Sequence, residues 1–184
     1  MLGNTHQTWG SITKTLHWTM AFLIFTQFGL GWVAVSWRLS PTKLNLFVWH
    51  KSIGLLILAL ALIRLVWRLA NPVPQLPTAI AQWERYAAHT SHWLLYFSMI
   101  GMPLSGWIVN SAANIPFRIF WAVPLPAIVP ASKPLEELAK LAHLSFFSLL
   151  CAVLVVHIGA ALRHHFIKGN NILRRMLPGR SSSG

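Results

Sequence analysis

The sequence predicts an all-α membrane protein, with four helices crossing a bilayer as an antiparallel bundle. Three observations carry that reading. Charged residues make up 10% of the 184 and hydrophobic residues 55%, whereas a water-soluble domain carries about a quarter charged residues. The basic residues bracket long uncharged stretches instead of gathering in one place. The connections between those stretches are short or rich in proline. The length suits one domain covering residues 1–184, since dividing it would leave neither part a core, and the apolar content excludes disorder.

Each span can be justified in turn. Span one, about residues 12–37, contains 23 uncharged residues between Lys14 and Arg38; a helix needs roughly 20 apolar residues to cross the hydrocarbon core. Span two, about 44–70, includes SIGLLILALALI, with Lys51 near one end and Arg64 and Arg68 near the other. Asn71-Pro72-Val73-Pro74-Gln75-Leu76-Pro77 then reads as a turn, because proline cannot continue a helix. Span three, about 84–111, follows Arg85 and meets no charge before Arg118; Pro103 lies inside it and is tolerable at membrane depth. Pro124, Pro126, Pro130 and Pro134 punctuate a longer loop. Span four, about 136–167, holds the uncharged run Leu141–Leu162. The first apolar stretch is too long for a cleavable signal and lacks a small-residue cleavage site. The tail Ser181-Ser182-Ser183 is the one low-complexity segment.

Basic residues set the orientation. One side holds Lys14, Arg64, Arg68, Arg85, Arg163, Lys168, Arg174, Arg175 and Arg180; the other holds Arg38, Lys43, Lys51, Arg118, Lys133 and Lys140. Nine against six puts the first side, with both termini, in the cytoplasm. The net charge of +12 does not indicate nucleic acid, which requires cations gathered on one soluble face.

Nine histidines are the chemical signal, since a polar side chain at bilayer depth is costly and usually functional. His143 and His157 stand fourteen residues apart on span four. At about 100° per residue they share a face, separated by about 21 Å along the axis, so one helix offers a ligand at each of two depths. His50, near the outer end of span two, is the depth-matched partner for His143. His17, at the inner end of span one, is the partner for His157, with His89 and His92 on span three as competitors. Paired neutral imidazoles facing a bundle interior suit six-coordinate b-type haem iron. Cys151 is the only cysteine, so attachment through C-x-x-C-H is excluded and two haems between the helices would be held non-covalently. The rival readings are interhelical hydrogen bonds and bare zinc, which would want carboxylate or thiolate neighbours that are missing here. Arg64 and Arg68 suit haem propionates, because a guanidinium matches a carboxylate fork; simple interfacial anchoring of span two is the alternative. His164, seven residues past His157 and on nearly the same face, could join His92 and Arg85 around a quinone, or contact a propionate instead.

Several motifs together resemble the bacterial cytochrome b561 family: Ser11-Ile12-Thr13-Lys14-Thr15-Leu16-His17-Trp18, Val48-Trp49-His50-Lys51-Ser52-Ile53-Gly54, Arg64-Leu65-Val66-Trp67-Arg68, His89-Thr90-Ser91-His92, Leu162-Arg163-His164-His165-Phe166, and Leu173-Arg174-Arg175-Met176-Leu177-Pro178-Gly179. The match runs in order along nearly the whole chain. The departure is Asn170-Asn171, where the pattern leads one to expect an acidic residue. The resemblance implies a four-span di-haem b-type cytochrome of the bacterial inner membrane, with His17, His50, His143 and His157 as iron ligands. It also implies an oxidoreductase that passes electrons from superoxide to ubiquinone (a superoxide oxidase). Relatives of another kind are haem-bearing anchor subunits that relay electrons between a dehydrogenase complex and the quinone pool, and that is the alternative function. A haem-free four-span scaffold is the third. The charges contribute independently: the outer face carries a net of +4, which would steer a small anion such as superoxide. Beyond lipid, quinone and that donor, no protein partner is indicated.

Overall fold

The computed structural model describes residues 1–75, 77 and 80–179. Leu76 of the proline-rich turn, Arg180 and Ser181, Ser182 and Ser183 lie outside the described residues. Four long helices dominate: α1 (Ser11–Ser36), α2 (Pro41–Ala70), α3 (Gln82–Ala112) and α4 (Lys133–Phe166). A two-stranded antiparallel hairpin, β1 (Arg118–Ile119) with β2 (Val123–Pro124), interrupts the α3–α4 connection, and a short α5 (Ile172–Met176) follows α4. Neither of these small elements was expected from the sequence.

The helix starts are explained by their first residues. Pro41 and Pro134 sit in the first turns of α2 and α4, and the Ser40 and Ser132 hydroxyls accept from the Lys43 and Leu135 amides. Gly10, before α1, has no side chain to cap with. The N-terminal segment does that work instead: the Ser11 and Ile12 amides donate to the Met1 and Leu2 carbonyls, satisfying groups that a helix start leaves unpaired. A Cβ at Gly10 would collide with the Leu2 and Gly3 backbone.

Helix α1 packs on α2, α2 on α3 and α3 on α4, while α1 and α4 meet through side chains, including the Phe28–Phe147 and His17–His157 ring contacts. At one end, the termini end, the N-terminal segment, the α2–α3 connection and α5 come together: Arg175 donates to the Gln7 and Gln75 carbonyls, and Trp18 Nε1 to the Met176 carbonyl. Glu84 binds Arg163 Nη1 at 2.7 Å and Lys168 Nζ at 2.7 Å there, tying the start of α3 to the end of α4. At the opposite, hairpin end, the Phe120 amide donates to the buried Ser52 hydroxyl at 2.8 Å.

Helices α1, α2 and α4 are each long and apolar enough to cross a membrane. Their large apolar side chains point outward, among them Phe22, Trp32, Ile63, Val66 and Val155, an arrangement suited to lipid and costly in water. Helix α3 has the length, at 31 residues, but not the apolarity. It buries Ser98, Ser105, Asn110 and Ser111 against its neighbours.

Candidate functional site: two histidine-lined cavities

Two cavities lie inside the bundle, one nearer each end. The cavity at the hairpin end is lined by His50, His143, Lys51, Gln27 and Asn110 among mostly apolar residues. The cavity at the termini end is lined by His17, His92, His157, Arg64 and Tyr96. Ile24 and Met99 line both cavities and are almost fully buried, so an apolar septum separates them.

At the hairpin end the His50 and His143 ring centroids are 6.4 Å apart with planes at 70°. At the termini end His17 and His157 are 6.3 Å apart at 63°, and His92 and His157 are 5.3 Å apart at 77°. Two imidazoles on opposite sides of a metal, each at about 2.0–2.1 Å through nitrogen, would have centroids roughly 6.3 Å apart. The first two pairs have that spacing; His92–His157 is about 1 Å short of it. His89 stays exposed on α3 and lines neither cavity.

Hydrogen bonds decide which ring nitrogen is free. His143 Nδ1 lies 2.9 Å from the Met102 carbonyl and 3.1 Å from Ser105 Oγ, whose own proton goes to the same carbonyl. A carbonyl only accepts, so Nδ1 carries the proton and Nε2 keeps its lone pair, the usual form of a metal-ligating histidine. His92 Nδ1 donates similarly to the Ala88 carbonyl at 2.6 Å. His17 is arranged the other way. Its Nδ1 is 3.0 Å from Arg64 Nη2, and a guanidinium only donates, so the proton sits on Nε2. Spacing therefore favours His17 at the termini end, whereas the tautomer favours His92. Spacing ranks above tautomer, because an arginine can swing toward another acceptor and so free His17 Nδ1. His50 Nδ1 is buried and unpartnered, as is Gln27 Oε1; an unmade buried bond costs about 1–3 kcal/mol.

Glycines make room for these rings. A Cβ at Gly31 on α1 would stand 3.1 Å from His50 Cε1, and one at Gly106 on α3 would stand 3.3 Å from His143 Cε1. At Gly101 it would overlap the Phe146 ring.

The other residues singled out from the sequence divide. Arg68 lies close enough to Arg64 and His92 to act on them electrostatically. Arg85 donates to the Ile80 and Pro77 carbonyls, holding the α2–α3 connection. His164 is buried, with Nδ1 2.8 Å from Asn170 Nδ2, and lies outside the cavity lining. Lys51, expected on an open outer face, lines the hairpin-end cavity, with Nζ 2.7 Å from Asn110 Oδ1 and over the Phe117 ring. Lys133 and Lys140, also expected there as free cations, are paired with Glu136 and Glu137. Gln27, Tyr96, Ser105 and Asn110 were not apparent from the sequence. The available signal was a polar residue placed a few residues from an intramembrane histidine, or opposite one.

Among the described residues, no group of three or more His, Cys, Asp or Glu side chains gathers as a metal-ligand set. Histidine rings do pair across each cavity, and two histidines are what bis-histidine haem iron takes from protein. The comparisons point the same way. The model of the prokaryotic cytochrome b561 family matches residues 8–179. The chain belongs to the prokaryotic cytochrome b561 family. It is 30% identical to cytochrome b561 homolog 2 of Escherichia coli (strain K12), covering 98% of this chain and 96% of that one. It is 27% identical to cytochrome b561 homolog 1 of the same organism, over 90% and 94% of the two chains. To a probable superoxide oxidase CybB of Yersinia pestis it is 25% identical, over 94% and 97%. Membership makes this a prokaryotic membrane protein of a haem b-binding, electron-transferring family.

Proposed function

We propose that the chain is a di-haem b-type cytochrome of the bacterial inner membrane that carries electrons from superoxide to ubiquinone. The observation supporting it most strongly is the pair of facing histidines in each cavity, His50 with His143 and His17 with His157, at 6.4 and 6.3 Å. In this reading α3 crosses with the other helices, because it is as long as they are and turns its polar residues inward. Both termini are cytoplasmic by the nine-to-six count of basic residues.

Haem iron held by such pairs supplies reversible one-electron chemistry. The chain's own residues do the rest. Met102 and Ser105 hold His143 with Nε2 toward the metal. Ile24 and Met99 keep the space between the cavities dry. Arg64, with Arg68 beside it, would hold a propionate carboxylate, and a guanidinium so engaged would free His17 Nδ1 to carry the ring proton. At the hairpin end the half-buried Lys51 ammonium offers a positive charge beside the cavity, where a small anion gains most from it. The name of the Yersinia pestis relative supports superoxide as that anion. His164 is the hydrogen-bond donor for a quinone at the termini end; His92, whose Nδ1–H goes to the Ala88 carbonyl, and Arg85, which donates to two carbonyls, contribute position instead.

Stopped-flow reduction of the haems by superoxide, with and without ubiquinone, tests the proposal. The rate should fall steeply between low and physiological salt, because screening weakens steering, and Lys51→Met should lower it at low salt. A slow rate indifferent to salt would favour a relay subunit that takes its electrons from a protein partner.

A further inference from the structure

The four proposed ligands differ in one respect that the haem reading alone does not explain. His143 has an acceptor for its Nδ1 proton in the Met102 carbonyl. His50, facing it across the same cavity, has none among the described residues: its Nδ1 is buried and without a hydrogen-bond partner there. A second buried orphan lies in the same cavity wall. Gln27 on α1 is 8% exposed and lines the cavity, and its Oε1 has no partner. Its Nε2 donates to the backbone carbonyl of His50 itself at 2.8 Å. The amide is thus anchored on the residue whose ring lacks an acceptor, and it presents an acceptor that lacks a donor. Gly54 gives that amide its place, since a Cβ there would stand 3.2 Å from Gln27 Nε2, and Gly31 leaves room for the His50 ring to adjust.

We propose that Gln27 is the positioning residue of His50, accepting its Nδ1 proton through Oε1 and so presenting His50 Nε2 to the metal. This rests on the haem reading above. The chemistry is general: a metal-ligating histidine almost always donates its other ring N–H to a carboxylate, a carbonyl or water, which fixes the tautomer and raises the ring's basicity, and losing that partner lowers metal affinity by about 10–100-fold. In an apolar cavity a side-chain amide supplies the carbonyl without introducing a charge. The two atoms do not bond each other in this structure; a change in the angle of the His50 ring or the Gln27 amide that joined them would satisfy both orphans with one bond.

The test is potentiometric titration of the purified full-length protein, with low-temperature EPR of the oxidised haems, comparing the parent with Gln27→Met and Gln27→Glu. Methionine keeps the volume and removes the acceptor; glutamate keeps a carbonyl oxygen whether ionised or protonated. In Gln27→Met the hairpin-end haem should titrate at a higher potential, its low-spin EPR signature should shift, and it should dissociate at least about 10-fold more readily. The other haem should be unchanged, which also reports that the bundle is intact. Gln27→Glu should bring the potential back to the parent value or below it. Unaltered potential and EPR in Gln27→Met, or equal shifts of both haems, would overturn the proposal. If Gln27→Met fails to fold, Gln27→Glu decides: a potential above the parent's would contradict it. A parent protein that binds no haem would defeat the underlying reading instead.

Discussion

His143 Nδ1 lies 2.9 Å from the carbonyl oxygen of Met102, and that contact determines what His143 can do. With its proton given to the backbone of α3, the ring turns a bare Nε2 lone pair to the cavity it shares with His50. The α3–α4 pair is therefore more than a packing interface. It fixes the tautomer of His143, the proposed ligand.

At the termini end two histidines face His157, and spacing ranks them. His17→Ala should lose the haem at that end, while His92→Ala should retain it in six-coordinate low-spin form, because the His92 ring is about 1 Å too close to His157 for the two to bind a metal from opposite sides. Visible and near-infrared absorbance of the two variants checks this. The reverse result would make His92, already donating Nδ1–H to Ala88, the ligand.

The glycines that admit side chains from the facing helix should be intolerant of even one carbon. Gly101→Ala would drive a Cβ into the Phe146 ring, an overpacking that costs about 1–3 kcal/mol, so its thermal midpoint in detergent should fall. Gly106→Ala would place a Cβ 3.3 Å from His143 Cε1. It should disturb the absorbance of the haem on His143 more than it changes stability. Gly159, which has open space around it, serves as the control, since its alanine variant should lose neither.

Much of the architecture was legible in the sequence because charge is so scarce. The uncharged run after Lys140 lies wholly within α4, the run after Lys14 lies within α1 except for Trp37, and the run after Arg85 covers α3 and continues five residues past Ala112; the fourteen-residue interval between His143 and His157 does place one ring at each cavity. What could not be read is what depends on side chains meeting across helices. Lys51 looked like part of an open outer surface, yet Asn110, 59 residues away, draws it to the cavity. Gln27 did not stand out in its apolar run, because its partner is a carbonyl on another helix. The hairpin was hidden for a local reason: Phe120 and Trp121 both take positive φ, 47° and 61°, which bulky residues rarely do. Trp49 packs against both of these rings.

His164 is the residue by which the quinone assignment stands or falls. Asn170 Oδ1 lies 3.4 Å from the Ile172 amide, so its Nδ2 faces His164 Nδ1, and the proton of His164 sits on Nε2, ready to donate to a carbonyl. His164→Ala should slow reoxidation of the reduced haems by added ubiquinone by roughly 10²-fold or more, the contribution typical of a positioned proton donor, while the haem spectrum stays intact. Reoxidation at the parent rate would remove His164 from the site.

The central claim is that two separate haems share α4, one through His143 and one through His157. The measurement that tests it most directly is the haem-to-protein ratio of the purified parent, of His143→Ala and of His157→Ala. Two haems per chain in the parent and one in each variant, with the surviving haem distinguishable by its potential, is the predicted result. A parent without haem, or two variants that each lose both haems, would contradict it.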